Sequence, residues 1–455
     1  MPLPPAADDR ADEILAVFET AFGELLAADP AAFRVKFRKM AASAFAFYRG
    51  TACLFYHDLE RQDRSLPEGT PHRPYLDERT SRVWIHGDLH AENFGTYMDS
   101  TGRLVFNVND FDEAYVGPFT WDLKRLAASL ALIGYTKALS DEQITEVVRT
   151  GAAAYRERIH ALATGAKEDE VPPFTLDTAG GPLLGALRTA RARTRFSLLE
   201  SMTEIRDFER RFAPGGGAID LDAATRYKVL AAFDGYLETL PDSSLARPDS
   251  YRVKDVVGRR GVGIGSAGLP SYNILLEGNS DALENDVVIY MKQGQTPAVS
   301  RHIGDRSVRA YFRHEGHRTV ISQRALQDHA DPWLGWTELD GAGQLVAEVS
   351  PYAVDLDWSD LDDPEEIAAV VADLGRATAT MHGAADDESG HSLVPFSTER
   401  AIDAAIAADE EGFGELLVDF AHAYGARARR DHQIFVDLFR NGRIPGLREA
   451  SRKIL

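Results

Sequence analysis

The sequence predicts an α+β protein of two lobes, and three observations support this fold class. The chain has 455 residues, more than one ordinary hydrophobic core organises. Apolar residues recur at helical spacing towards both ends of the chain. In the middle they alternate with period two, as in strands. We therefore expect a mainly helical lobe, made of residues 1–245 and 356–455, and a β-rich lobe of residues 250–355.

The elements before residue 240 are predicted to be helices around one short strand and one hairpin. Two helical patterns open the chain, and the second runs from about Ala31 to Gly50. The segment RVWIHGD is typical of a short strand that runs into a loop. FGTYM and RLVFNVND, joined by the turn DSTG, are typical of a hairpin. A helix is expected from Trp121 to about Tyr135, and mostly helical sequence continues to about Leu240.

The middle of the chain carries the predicted sheet. Strands are expected at YRVKDVV, SYNILLEG, DVVIYMKQ and GQLVAEVS, with a glycine-rich link between the first two. One helix is expected in this unit, from about Ser307 to Gln327. From Pro364 the pattern is helical again.

Composition restricts the partners. Lys and Arg number 50 against 71 Asp and Glu, a formal net charge of −21, and so acidic a surface repels nucleic-acid phosphates and anionic lipid. The single cysteine, Cys53, excludes an intrachain disulfide and a thiolate zinc cluster. There is no signal-peptide pattern and no run of about 20 apolar residues. We expect a cytoplasmic protein with no nucleic-acid, membrane or obligate protein partner.

The stretch IHGDLHAENFG concentrates the polar chemistry of the first half. His86, Asp88 and Asn93 have the spacing H-x-D-x-x-x-x-N of a kinase catalytic loop. After the predicted hairpin, NDFD places Asp110 before a phenylalanine, as in the kinase metal-binding motif. A carboxylate that orients a hydroxyl, with a second carboxylate and an amide oxygen that hold Mg²⁺, is what phosphoryl transfer needs.

Other interpretations of HGDLH stay open on these residues alone. His86, Asp88 and His90 could be the ligands of a metal hydrolase, because alternate residues of a strand share a face. The segment could also be a polar turn. His90 could contact a γ-phosphate, or it could make an ordinary hydrogen bond within the loop.

The glycine-rich link predicts a phosphate-binding loop. Gly263, Gly265 and Gly268, with Ser266 among them, form G-x-G-x-x-G. A dinucleotide-binding loop would lead into a helix, whereas SYNILLEG alternates like a strand. Glycines in such a strand–loop–strand unit let backbone N–H groups approach phosphate oxygens. A plain hairpin would show the same pattern.

Lys292 ends the strand DVVIYMKQ, one strand after these glycines. It matches the kinase lysine that pairs with the α- and β-phosphates, although a solvated lysine at a strand end has the same pattern. Glu315 is the candidate acid partner of Lys292. Glu348 lies in LVAEVSPYAVDLD, the segment expected to supply the last strand of the small lobe and the hinge around adenine.

The motifs occur in reverse order, because the catalytic loop of a standard kinase follows its glycine loop. Here residues 86–93 come about 170 positions before residues 263–268. The matches are therefore either coincidental or produced by circular permutation, which is tolerated where chain termini lie close together at the surface.

Several of these segments together resemble one bacterial family, domain of unknown function 2252. They are FAFYRGTA, HGDLHAENFG, VFNVNDFDEAYVGPFTWDLKRLAAS and GVGIGSAG with VVIYMKQ, within about residues 35–385. That family is regarded as related to protein-kinase-like phosphotransferases such as the aminoglycoside phosphotransferases. The resemblance implies a bilobal kinase-like fold, ATP and Mg²⁺, but no agreed substrate. It makes Asp88 the base, Asn93 and Asp110 the metal ligands, and Lys292 the phosphate anchor.

One position departs from the resemblance. Family members often carry an acid where Ile321 stands in RTVISQR. The departure leaves the acid partner of Lys292 open.

Two features predict a small acceptor. Gly87 replaces the arginine of H-R-D, which binds an activation-loop phosphate in protein kinases, and only twelve positions separate Asp110 from Asp122. Asp122 could hydrogen-bond the catalytic loop, as the resemblance implies, or favour its helix N-terminus electrostatically. Asp112 is a further candidate carboxylate. Four arginines could receive an anionic substrate or form a solvated helix face: Arg188, Arg191, Arg193 and Arg195.

The sequence thus predicts an ATP- and Mg²⁺-dependent phosphotransferase of circularly permuted kinase-like fold, acting on a small-molecule hydroxyl or amine. Its partners would be a nucleotide and this acceptor. The alternatives are a nucleotidyl transferase that donates AMP from the same fold, and a nucleotide-binding regulatory protein without catalysis.

Overall fold

The computed structural model describes residues 7–64, 75–167, 170–246, 251–259, 268–384 and 392–447 of an α+β protein. The chain opens with α1 (Ala7–Ala28), α2 (Pro30–Met40), α3 (Ala44–Arg49) and α4 (Ala52–Arg64). Asp29 caps α2 by accepting a hydrogen bond from the Ala32 N–H (2.9 Å), and Ser43 caps α3 in the same way. The second helical pattern is therefore two helices, because Ser43 begins a new one.

A short strand and a hairpin follow, as the sequence predicts. The strands are β1 (Val83–Ile85), β2 (Phe94–Met98), β3 (Leu104–Val108) and β4 (Tyr115–Gly117). β2 pairs antiparallel with β3, and the Asp99 carboxylate closes their turn by accepting from the N–H groups of Thr101 and Arg103. β1 pairs antiparallel with β4. This pairing places the loop after β1 beside the link that precedes β4.

The following stretch contains helices and some short strands that the sequence did not predict. Its elements are α5 (Phe119–Thr136), α6 (Asp141–Ala163), α7 (Gly181–Ala192), α8 (Arg195–Met202), β5 (Thr203–Arg206), β6 (Glu209–Phe212), β7 (Ala218–Ile219), α9 (Ala223–Leu237) and α10 (Asp242–Leu245). The prediction for α5 is confirmed. The prediction of mostly helical sequence to Leu240 is wrong over residues 203–219, where the strands are too short for their alternation to be visible.

The β-rich unit is built around a six-stranded antiparallel sheet. Besides β7 it contains β8 (Val253–Arg259), β9 (Ser271–Leu276), β10 (Val287–Gln293), β11 (Gly335–Leu339) and β12 (Ala342–Glu348). The strand order is β11-β12-β10-β9-β8-β7. Helix α9 packs on the sheet, with Val229, Phe233 and Tyr236 in one core with Ile274 and Ile289. Since β7 and α9 belong with the sheet, this unit begins before residue 250, the boundary suggested by the sequence.

The single helix expected from Ser307 to Gln327 is two helices. They are α11 (Arg306–Tyr311) and α12 (Glu315–Leu326). His314 separates them because its extended backbone and its side chain, which accepts from the His317 N–H, form the N-cap of α12.

Three long or medium helices complete the helical unit: α13 (Pro364–Ala384), α14 (Thr398–Ala407) and α15 (Glu410–Arg440). Helix α13 crosses α6 closely, since a Cβ added to Gly375 would lie 2.4 Å from the carbonyl oxygen of Gly151. Helix α15 packs on α5 and on α1, so the last described helix contacts the first. Within the ranges given above, the helices are all too short or too polar to cross a membrane.

A buried ionic cluster joins the first helix to the last. The Arg10 guanidinium donates hydrogen bonds to both carboxylate oxygens of Asp58 on α4 (2.9 and 2.8 Å) and of Asp431 on α15 (3.0 and 2.6 Å). All three side chains are buried. Removing one member of such a cluster is strongly destabilising, because the remaining charges stay out of water without their partner.

We expect Arg10→Met to lower the free energy of unfolding by about 3–5 kcal/mol. The substitution removes the cation that pairs with both buried carboxylates, and Asp58 keeps the more distant Arg427 (3.6 Å). Chemical denaturation at neutral pH measures the loss. Arg38→Met is the matched control, since Arg38 is exposed on α2 and its removal should change stability by less than about 0.5 kcal/mol. Similar losses in both variants would contradict the role given to Arg10.

Candidate active site

The loop after β1 is held by a buried carboxylate on α5. The backbone N–H groups of His86 and Gly87 donate to Asp122 Oδ2 (2.6 Å) and Oδ1 (2.9 Å). His382 Nε2 lies 3.2 Å from the same Oδ2, and the Tyr155 hydroxyl lies 2.8 Å from His382 Nδ1. Asp122 and His382 are fully buried. Of the two roles considered for Asp122, the structure shows the first, because its carboxylate accepts hydrogen bonds from the loop HGDLH.

Gly87 is a glycine because two conditions exclude a side chain. Its φ is +79°, and an added Cβ would lie 2.2 Å from the carbonyl oxygen of Glu113, in the link before β4. Its own carbonyl accepts a hydrogen bond from the Tyr56 hydroxyl (2.6 Å). The space that a side chain at this position would need is thus filled by the backbone of the link before β4.

Asp88 is held by a second residue of α5. Arg125 Nε donates to Asp88 Oδ1 (2.5 Å), while its guanidinium lies 4.3 Å from the ring centroid of Tyr48. Burial raises the pKa of Asp88, and the charge of Arg125 opposes that rise. Asp88 stays 18 % exposed and lines a cavity. Arg125 therefore holds one carboxylate oxygen of Asp88 at the wall of this cavity.

Sequence reasoning missed Arg125, although a signal was present. Asp122, Arg125 and Ser129 follow one another at helical spacing, so they lie on one face of α5. Ser129 Oγ accepts from the Ala91 N–H (3.0 Å). Three side chains on one face of α5 thus hydrogen-bond to the loop that follows β1.

The two histidines of HGDLH are buried and do not form a metal site with Asp88. His86 Nε2 lies 2.8 Å from the Asn109 carbonyl oxygen. His90 Nδ1 accepts from the Glu92 N–H (3.3 Å), and burial keeps the pKa of His90 well below its usual range. In the part of the chain described above, groups of three or more His, Cys, Asp or Glu side chains arranged to hold a metal ion are absent. The arrangement favours a loop hydrogen bond for His90 and disfavours the metal hydrolase.

Asn93 and Asp110 lie at the base of the β2–β3 hairpin. Asn93 Nδ2 donates to the Asp88 carbonyl oxygen (2.8 Å), and the Asn109 N–H donates to the Asn93 carbonyl oxygen (3.0 Å). Asp110 follows in the left-handed region at φ +57°, which is uncommon outside glycine. Burial and then the neighbouring Asp112 raise the pKa of Asp110. The hairpin thus returns an acidic residue beside the catalytic loop, as the sequence predicts.

Lys292 reaches this acidic segment from the sheet. Its ammonium lies 2.7 Å from Asp112 Oδ2, although the two residues are 180 positions apart. The predicted pairing of Lys292 with Glu315 is wrong. Glu315 instead accepts from Arg318 Nε (2.7 Å), one turn further along α12. A local partner at i, i+3 is available to Glu315 as soon as the helix forms.

Of the remaining candidate residues, the structure describes some and not others. Gly263, Gly265 and Ser266 lie outside the described residues. Gly268 has φ +82°, and an added Cβ would lie 3.6 Å from atoms of the α1–α2 corner. Glu348, at the end of β12, accepts from Arg195 (2.9 Å). The other three arginines of RTARARTRF are exposed, in agreement with a solvated face: Arg188, Arg191 and Arg193.

Two cavities flank the Lys292–Asp112 pair. The first has a volume of about 460 Å³, and Asp88, Asp110, Asp112 and Glu113 form one part of its wall. The second has a volume of about 580 Å³. Residues of the sheet and of the segment after β12 line it, among them Arg259, Asn273, Tyr290, Lys292 and Val349.

Comparison with known proteins gives one match. A family model described as "Uncharacterized protein conserved in bacteria (DUF2252)" matches residues 28–438. The chain belongs to this family. Curated proteins and solved structures give no match. Membership confirms the resemblance on which the sequence interpretation partly depends, whereas the family description carries no activity.

In this DUF2252 protein we expect Gly87→Ala to be more destabilising than Gly102→Ala. Both glycines have positive φ, +79° and +84°, but a Cβ at Gly102 would have no atom within 4 Å. The difference isolates the contact with Glu113 and should be about 1–3 kcal/mol by chemical denaturation. Equal losses would mean that the link before β4 can move away from the loop without a penalty.

Proposed function

We propose that this protein is an ATP- and Mg²⁺-dependent phosphotransferase of circularly permuted kinase-like fold, acting on a small-molecule hydroxyl or amine. The observation that carries the proposal is the contact of Lys292 with Asp112, a residue that lines the smaller cavity together with Asp88 and Asp110. A phosphate anchor, metal-binding carboxylates and a base are the groups that phosphoryl transfer requires.

The larger cavity suits the nucleotide. Lys292 lies on its wall, and the segment after β12, expected to be the hinge, contributes Val349. Val349 donates its N–H to the Val288 carbonyl oxygen (2.8 Å), which joins this segment to the sheet. Arg259, the last residue of β8, also lines the cavity. The glycines predicted to approach the phosphates follow it in the sequence, and Gly263 and Gly265 lie outside the described residues.

The residues present fit Mg²⁺ bound together with a nucleotide. Asn93 and Asp110 supply an amide and a carboxylate, which are hard oxygen donors. Mg²⁺ is commonly held by one or two carboxylates, water and substrate phosphates, and not by a complete protein cage. A bound ion would neutralise charge on the phosphates, while Asp110 would be ionised beside it despite its raised pKa.

Asp88 is the proposed base. Arg125 donates to one of its oxygens, and Asp88 lines the smaller cavity. There it would align the attacking group of the acceptor with the γ-phosphate and accept its proton. The two neighbouring backbone N–H groups held by Asp122 prevent the loop from turning away.

A small acceptor is favoured by the link between Asp110 and α5. This link consists of one 3₁₀ turn, Phe111–Glu113, and the short strand β4, which pairs with β1. Glu113 is further held by the Ala298 N–H (2.6 Å). A segment that is paired along its length in this way has no free stretch on which a substrate peptide could dock.

We expect Mg·ATP to stabilise the protein, and Lys292→Met to abolish the effect. A ligand at 100 times its Kd adds about 2.7 kcal/mol, which a thermal-shift titration detects. Mg²⁺ alone should have little effect, since the protein supplies only part of its coordination. Lys228→Met is the control, because Lys228 is exposed on α9 and pairs with the exposed Asp340. No stabilisation of the wild-type protein by Mg·ATP would contradict the proposal.

We expect Asp88→Asn to reduce turnover by about 10²–10⁴-fold while Mg·ATP still binds. Asparagine keeps an oxygen for Arg125, whereas alanine would leave that buried guanidinium without its partner. The measurement is ATP consumption with a panel of small alcohols and amines. Mass analysis of the product distinguishes transfer of a phosphoryl group from transfer of AMP. Normal turnover by the variant would exclude Asp88 as the base.

A further inference from the structure

A buried lysine on α2 lines the smaller cavity. Lys36, on α2, is 5 % exposed and lines the same cavity as Asp88. Its ammonium lies 4.2 Å from the ring centroid of Phe22 and 5.6 Å from that of Phe33. Over the described ranges, these ring contacts are its partners, and no carboxylate lies within 4 Å. Neither the proposed base nor the proposed nucleotide site uses this cation.

An ammonium in this position is energetically unfavourable without a ligand. Buried charges in proteins are normally paired, because removing them from water costs several kcal/mol. Burial lowers the pKa of Lys36 to about 8. The neighbouring thiol does not neutralise the lysine, since burial raises the pKa of Cys53 to about 11. An anion in the cavity would give Lys36 the ion pair that the described residues do not provide, since Glu113 and Asp88 act on its charge from beyond 4 Å.

A second cationic group that lines this cavity has a hydrogen-bond donor without a partner among the described residues. Arg49 pairs with Glu92 through its NH1 group. Its Nε is buried and has no hydrogen-bond partner among the described residues, and Arg49 lines the same cavity as Lys36. The carboxylates of Asp110, Asp112 and Glu113 line the same cavity, and Asp112 pairs with Lys292. The cavity wall therefore contains both carboxylates and cationic groups.

We propose that Lys36 and Arg49 bind an oxyanion, a carboxylate or a phosphate, that the acceptor carries in addition to its reacting hydroxyl. A volume of about 460 Å³ is sufficient for a small molecule. For the reaction, this inference rests on the proposed function. The acceptor oxygen would form a bond to the γ-phosphorus of ATP, the bond from that phosphorus to the β,γ-bridging oxygen would break, ADP would leave, and the hydroxyl proton would pass to Asp88.

The test uses inorganic phosphate and, in parallel, acetate as probes in thermal unfolding of the full chain at constant ionic strength. Phosphate or acetate should stabilise the wild-type protein, and Lys36→Met should weaken the apparent affinity about 10–100-fold. Lys36→Arg should restore most of it. Lys39→Met is the matched control, since it removes the same charge from an exposed position of α2. The probe with the larger Lys36-dependent effect identifies the anionic group.

Lys292→Met separates the two phosphate sites. An anion effect that persists in Lys292→Met and is lost in Lys36→Met supports the inference. An effect lost only in Lys292→Met places the ion in the nucleotide cavity and overturns it. So does an unchanged effect in Lys36→Met, or no effect on the wild-type protein. If Lys36→Met does not fold, Arg49→Gln replaces it, since Arg49 is one-third exposed and tolerates substitution.

Titration of the same proteins with Mg·ATP keeps the two proposals distinct. Lys36→Met should bind Mg·ATP like the wild-type protein, because Lys36 does not line the larger cavity. An anion effect that depends on Lys36, without any response to Mg·ATP, would leave the anion site standing and remove the phosphotransferase. The opposite pattern would remove the anion site alone.

Discussion

The buried carboxylate of Asp122 is the constraint on which the site geometry depends. It accepts from two consecutive backbone N–H groups, and these bonds determine the direction in which the chain leaves β1. A carboxylate without water is tolerated only when its oxygens are satisfied, and the N–H groups together with His382 satisfy them. Arg125, one turn further along α5, then selects the orientation of Asp88. Loop and helix are therefore one rigid unit.

Charge balance explains why this site favours a ligand. Asp88, Asp110, Asp112 and Glu113 line one cavity, and burial raises the pKa of Glu113 to about 7, with Asp88 adding to the rise. Arg125 and Lys292 compensate only two of these four carboxylates directly. A divalent cation bound beside Asp110 would compensate part of the remaining charge, while Lys36 and Arg49 line the same cavity. In the proposed reaction the metal and the nucleotide would therefore bind as one unit.

Local signals in the sequence were sufficient to predict the hairpin, helix α5 and the strand that carries Lys292. The approach of Lys292 to the acidic segment was also predictable, because two independent motifs required it. The acid that pairs with Lys292 was not, since Asp112 and Lys292 meet only through the arrangement of the sheet on the helical unit. Short strands such as β7, with two residues, exist because a neighbouring strand pairs with them, and no periodicity reports that.

The wall of the smaller cavity combines residues that lie far apart in the sequence. Helices α1 and α2 precede the catalytic loop, and the segment after β10 follows it by nearly two hundred positions, yet both line the smaller cavity. The cluster of Arg10 with Asp431 anchors α1 on α15, so this wall depends on the contact between the two ends of the described chain. Lys36 lies 50 positions before His86 in the sequence, and Arg49 belongs to the segment FAFYRGTA. In the proposed reaction, residues of α1 and α2 would contact the acceptor, while Asp88, Asp110 and Lys292 would perform the transfer.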